Sequence, residues 1–132
     1  MATQIDSTTR TAMVAAISTA LGTSCKIEVF KGTRPAAGTA AVADLLVTFA
    51  GNASAFGTSS AGVLTAGAIA SAAATASGTA TWARLSTSGG TWKVDCDVTA
   101  TAGAGPLKID NTVIVSGKYV NVTSITFTAG NA

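Results

Sequence analysis

The stretch that most restricts the fold is residues 78–99, GTATWARLSTSGGTWKVDCDVT. Its second half sets Trp92, Val94, Cys96 and Val98 in alternation with Thr91, Lys93, Asp95, Asp97 and Thr99. Side chains on a strand point to opposite faces with period two, so this pattern predicts a strand with one buried and one wet face. The preceding Ser86-Thr87-Ser88-Gly89-Gly90 supplies glycines where a hairpin turn needs positive φ, so residues 78–99 read as two antiparallel strands. On that reading Trp92 and Cys96 belong to the core, and Asp95 and Asp97 lie on the wet face as solvated charges beside Lys93. A hairpin of this kind needs a second layer to cover its apolar side, and the rest of the chain has to provide it.

Only one segment has a helical period. In residues 7–21, STTRTAMVAAISTAL, Met13, Ile17 and Leu21 recur at i, i+4 and i+8, flanked by alanines. Asp6 or Ser7 is placed to cap it and Gly22 to end it, giving a helical unit over 6–22 whose Met13/Ile17/Leu21 stripe is expected in the core. From residue 25 to 128 the pattern is that of strands. Cys25, Ile27 and Val29 share one face of a first strand, and Leu45, Val47 and Phe49 share one face of a second. Residues 32–43 form a loop, and 51–67 form a small-residue loop or short strands around Phe56, Val63 and Leu64. The alanine-rich 68–77 is open to helix by propensity, but its alternation with Ser and Thr leans to an extended edge. Strands are expected near 106–110 and 112–115 about an Asp110-Asn111 corner, with a turn at Ser116-Gly117-Lys118. In the final strand, 119–128, Val120 and Val122 lie on one face while Ile125 and Phe127 lie on the other. Such a change of phase predicts a bulge or a strand that crosses between sheets. Together these elements predict a mainly β, antiparallel β-sandwich or jelly-roll-like fold with one short N-terminal α-helix, a single domain over residues 1–132.

Composition narrows the chemistry. Charged residues are 11% of the chain, well under the roughly 25% of an average soluble protein, and the eight basic residues form no run. That balance argues against direct nucleic-acid binding, and no apolar run is long enough to span a membrane. The polar N-terminus does not read as a secretory signal. There is no histidine, which removes Ser-His-Asp and Cys-His nucleophile pairs and the commonest general base. Cys25 and Cys96 read as buried small hydrophobes in a chain made in a reducing cytoplasm. Asp95 and Asp97 point the same way but lack the further oxygens of a calcium site, and residues 103–106, GAGP, lack the Lys-Ser/Thr of a phosphate loop. The reading is therefore non-enzymatic: no catalytic residue, no cofactor-binding residue and no metal ligand is assigned. Trp82, which shares a face with Arg84, and Tyr119 are the aromatics left for exposure, where they would suit stacking on a sugar.

Several stretches, in order along the chain, resemble small virion proteins of tailed bacteriophages. They are KIEVFKGTRP (26–35), LLVTF (45–49), Phe56-Gly57, Ala61-Gly62-Val63, SGTATWAR (77–84), LKIDNT (107–112), Gly117 and the terminal Ile125-Thr126-Phe127-Thr128. The most specific is 77–84, where the family has Ser-Gly-Thr-Ala, an aromatic two positions on and then an arginine after one residue. The resemblance implies a capsid decoration (cement) protein, made in the bacterial host cytoplasm and placed on the virion exterior. Its implied partners are the major capsid protein and further copies of itself, as a homodimer or homotrimer. A tail, neck or fibre position and a carbohydrate-binding β-sandwich are the rival readings. Residues 2–6, 32–43 and 51–67 are the expected partner-contact segments.

Overall fold

The structure is a computed structural model, and it describes residues 4–39 and 44–129. It is mainly β, with one helix and a curled, mixed sheet that makes a sandwich-like half-barrel. The helix, α1 (Ser7–Leu21), starts where Asp6 accepts hydrogen bonds from the Thr8 and Thr9 amides at 3.0 and 3.1 Å. It ends at Gly22, whose φ of 70° lets its N–H turn back to the Ser18 carbonyl. The strands are β1 (Lys26–Lys31), β2 (Leu45–Ala50), β3 (Gly57–Ser60), β4 (Val63–Ala66), β5 (Ala72–Ala73), β6 (Gly78–Ser86), β7 (Trp92–Ala100), β8 (Leu107–Ile109), β9 (Val113–Ile114), β10 (Tyr119–Val120) and β11 (Val122–Thr128). The main sheet runs β2-β1-β6-β7-β8-β11-β4-β3, with β9 added beside β6, while β5 and β10 pair separately. The expected 78–99 hairpin is therefore the β6–β7 pair near the middle of the sheet. Residues 68–77 are extended, not helical, and contribute β5. Residues 57–66 of the expected small-residue loop form the β3–β4 hairpin.

Cross-strand register sorts the central side chains into two faces. Ile27, Leu85 and Val94 form one row and Val29, Ala83 and Cys96 the next, all on the inner face with Phe49, Val98, Leu107, Ile109 and Ile125. Phe30, Trp82 and Asp97 form a row on the outer face, as do Glu28, Arg84 and Asp95. The anticipated phase change in the last strand is present: the register with β8 shifts between Val122 and Ser124, and the chain passes from pairing with β5 to pairing with β8 and β4.

Three side-chain placements differ from the sequence expectation, each for a local reason. The β6–β7 register shifts between Leu85 and Ser86, so Ser86 faces Trp92 while Leu85 faces Val94. One extra residue in β7 flips the alternation. Trp92 consequently lies on the outer face and is 39% exposed instead of joining Val94 in the core. A second shift, between Val29 and Phe30, places Leu45 opposite Phe30, and Leu46 takes the core position that alternation assigned to Leu45. In α1 the buried face is Val14 and Leu21 with Ile17 beside them, and Met13 is 50% exposed. The helix lies on β3 and β4, where Ser18 Oγ donates to the Gly57 carbonyl at 3.4 Å, and its buried side is turned from the Met13/Ile17/Leu21 stripe toward Val14, leaving Met13 at the rim.

The sheet is antiparallel except for β7 and β8, which run parallel with Val98 opposite Leu107. Parallel neighbours normally need a crossover of a dozen or more residues. Here residues 101–106 suffice, because two glycines let the chain fold onto Thr99. A Cβ on Gly103 would come within 2.5 Å of the Thr99 Cβ, and one on Gly105 within 2.8 Å of its Cγ2. The Gly105 amide donates to Thr99 Oγ1 at 3.1 Å. We expect Gly103→Ala to lower stability by about 1–3 kcal/mol in a denaturant titration, the usual cost of overpacking. Gly89→Ala, whose Cβ would meet only Thr87 Oγ1 at 3.9 Å, should leave the midpoint nearly unchanged.

Candidate functional site

The outer face of β1, β6 and β7 gathers most of the functional-looking side chains. Phe30 and Trp82 stack with ring centroids 4.3 Å apart and planes 13° from parallel. The Arg84 guanidinium lies 5.6 Å from the Trp82 ring centroid and forms two parallel hydrogen bonds to Asp95, Nε to Oδ1 at 2.7 Å and Nη2 to Oδ2 at 2.9 Å. Both partners of this pair are buried, at 8% and 5% side-chain exposure. The chain after β1 folds back over this layer. Thr81 Oγ1 donates to the Gly32 carbonyl at 2.6 Å, Arg34 pairs with Asp97 at 3.3 Å, and Gly38 lies against the six-membered ring of Trp92. Between this loop and β7, Arg34, Pro35 and Ala36 face Trp92, Lys93 and Asp95 across a cleft of about 600 Å³.

The two tryptophans thus exchange the places the sequence suggested. Trp82 is 2% exposed, so it offers no stacking platform, and a sugar site built on Trp82 and Tyr119 is excluded. Its Nε1 is the one buried side-chain polar atom without a hydrogen-bond partner among the described residues. The stacking on Phe30 and the guanidinium against the ring compensate for that unmade bond. Asp95 is likewise not a solvated charge. It is the buried counter-ion of Arg84, and only Asp97, at 66% side-chain exposure, stays wet. Alternation could not reveal this, because Arg84 sits directly opposite Asp95 only once the hairpin register is fixed.

Two of the remaining acids, Asp6 and Asp110, are also held by local structure. Asp6 caps α1; hydrogen bonds from the Thr9 side chain and amide hold its carboxyl below the usual range. At Asp110, partial burial opposes ionisation, but hydrogen bonds from the Asn121 side chain and amide and from the Asn111 amide outweigh it and lower the pKa. Those contacts, at 2.9, 3.2 and 2.9 Å, clasp the base of the 110–121 loop. Among the described residues no group of three or more His, Cys, Asp and Glu could hold a metal ion. Residues 103–106 serve the β7–β8 turn.

Cys25 and Cys96 are both free and buried, as expected. Burial raises the pKa of the Cys25 thiol. Burial, and then the neighbouring Asp97 and Asp95 charges, push that of Cys96 up to about 12. Of the expected partner-contact segments, residues 2 and 3 and residues 40–43 lie outside the described residues. Residues 32–39 cover the outer face, and 51–67 include the hairpin on which α1 packs. That hairpin is fixed by the fully buried Phe56 and by the Gly62 amide donating to Thr11 Oγ1 at 2.9 Å. No protein-family model, curated protein or solved structure matches the chain.

Two outcomes follow from this geometry. Removing one partner of a buried ion pair strands the other, so Asp95→Ala should cost about 3–5 kcal/mol, while the double variant Arg84→Met/Asp95→Leu should recover most of that loss in urea titrations. The thiolate is the reactive form of cysteine, so neither thiol should react with a disulfide reagent at about pH 8 until the chain is unfolded.

Proposed function

We propose that the chain is a non-enzymatic structural protein of a tailed-bacteriophage virion, a decoration (cement) protein that binds the outer capsid shell and stabilises contacts between major capsid subunits. The observation that carries this reading is the ordered resemblance running from residues 26–35 to 125–128, with 77–84 as its most specific part. The positions of those residues are compatible with a framework role. Residues 78–84 belong to the central strand β6, and Arg84 is the partner of Asp95.

Two physical features support a structural task. Four of the six acidic residues, Asp6, Asp95, Asp97 and Asp110, are engaged in a cap, two ion pairs and a loop clasp. The surface is sparsely charged yet presents large apolar side chains, among them Met13, Val113, Val115 and Tyr119. Low charge and exposed apolar groups suit contact with other protein. Cementing needs only added contact area, and a weak contact repeated around a shell gives a strong lattice.

The experiment is reconstitution of particles that lack the protein. Added back, the chain should bind the shell in proportion to the number of capsid subunits and raise the temperature at which particles release DNA. A copy number matching the tail or neck instead would support those positions, and failure to bind any particle would defeat the virion reading.

A further inference from the structure

The register shift in the β6–β7 hairpin does more than turn Trp92 outward. Ser86 pairs with Trp92 and Leu85 with Val94, so Lys93 is the inserted residue, without a cross-strand partner on β6. A bulge of this kind re-aims side chains, and here Trp92 and Lys93 both line the cleft beneath residues 34–37. An exposed indole and an exposed ammonium group, adjacent in sequence, thus border one small space.

The other charges around that space are already matched. Asp95 lines the cleft, but both of its oxygens are taken by the buried Arg84 guanidinium. Arg34, on the opposite wall, pairs with Asp97 at 3.3 Å. Glu28, which shares the Arg84 row, is on β1, with β6 between it and β7. Lys93 forms no ion pair among the described residues, so the unmatched charge at the cleft is positive. The indole is fixed in place. Gly38, with φ of 77°, lies close enough that a Cβ would stand 3.5 to 3.8 Å from Cζ3, Cε3 and Cη2 of Trp92. Part of the six-membered ring is therefore covered by the loop, while the side chain as a whole stays 39% exposed. A platform ordered in advance loses little conformational freedom when a ligand settles on it.

The cleft volume of about 600 Å³ falls within the roughly 300–1,000 Å³ of small-molecule sites. It offers one aromatic surface, one unmatched cation and otherwise polar surroundings. A pyranose ring carrying a carboxylate meets all three: its C–H face lies on the indole, its hydroxyls turn to the polar walls, and its carboxylate accepts from the ammonium group. A nucleotide is a poorer match. Both arginines that could clamp a phosphate are tied to carboxylates, and α1, packed on β3 and β4, gives the cleft no helix N-terminus.

We propose that the cleft between residues 34–38 and β7 binds an acidic sugar, a hexuronic acid unit of a polysaccharide, with its ring on Trp92 and its carboxylate on Lys93. This site does not depend on the virion reading, because particle reconstitution and sugar binding are measured separately and either can fail alone.

Amide proton–nitrogen correlation spectra of the full chain test the proposal by titration with methyl glucuronide, methyl glucoside and benzoate. Methyl glucuronide should shift the amides of residues 34–38 and 92–95 and the Trp92 indole N–H, saturating with a Kd of about 1–10 mM, while the buried Trp82 indole stays in place. Methyl glucoside, the same ring without the charge, should bind about tenfold more weakly. Lys93→Gln should abolish the preference for the glucuronide, and Trp92→Leu should abolish binding of both sugars. Both positions are exposed, and unshifted amides elsewhere report that each variant is folded. No saturable shift at the cleft by about 50 mM glucuronide, far beyond the millimolar end of specific affinity, would overturn the proposal. So would equal binding of the two glycosides, a preference that survives Lys93→Gln, or binding that survives Trp92→Leu. Benzoate binding the cleft more tightly than the glucuronide would make the ligand an aromatic acid, and the sugar assignment would fall.

Discussion

Strand β6 is buried on both faces from Trp82 to Ser86, and the rest of the architecture answers to that constraint. A central strand with apolar or paired side chains on both sides needs a layer on each. The inner layer is the core formed with β1, β7, β8 and β11, closed over by β4 and α1. The outer layer is thin: the Phe30–Trp82 stack, the Arg84–Asp95 pair and the loop after β1 that returns across them. Breaking the ion pair strands a charge where water cannot reach it, which is why a single charged pair weighs so heavily in a chain with little charge.

Small register shifts do much of the remaining work. Each adds one residue to a strand and reverses the sides of everything beyond it. The shift at Leu85/Ser86 sends Trp92 outward to meet Gly38, and the shift at Val29/Phe30 exchanges Leu45 for Leu46 in the core. The shift at Val122/Ser124 lets one segment serve two sheets. The parallel β7–β8 pair follows the same economy, since glycines at 103 and 105 replace a long crossover with close backbone approach to Thr99.

The interior uses its polar groups for structure, while the surface carries little charge and exposes a few large apolar side chains. The decoration role proposed for the chain would be served by this division, a framework built on internal pairing and a surface that gains by contact.

Much of this was legible in residue order. The helix with its Asp6 cap and Gly22 stop, the 78–99 hairpin, the burial of both cysteines and the phase change after Val122 all follow from local periodicity and from the φ and hydrogen-bonding needs of individual residues. What periodicity cannot count is an inserted residue, because a bulge is defined only against the partner strand. For that reason alternation alone places Trp92 and Leu45 on the wrong face, and helical periodicity places Met13 in a stripe that differs from the buried face by part of a turn. Nor can sequence spacing show which distant residues meet. Arg84 finds Asp95, Arg34 finds Asp97 and Phe30 finds Trp82 only after strand order and register have brought them together. The sequence determined which segments alternate and where they turn; tertiary pairing decided which face each side chain occupies, because a face exists only once a neighbouring strand has fixed the register.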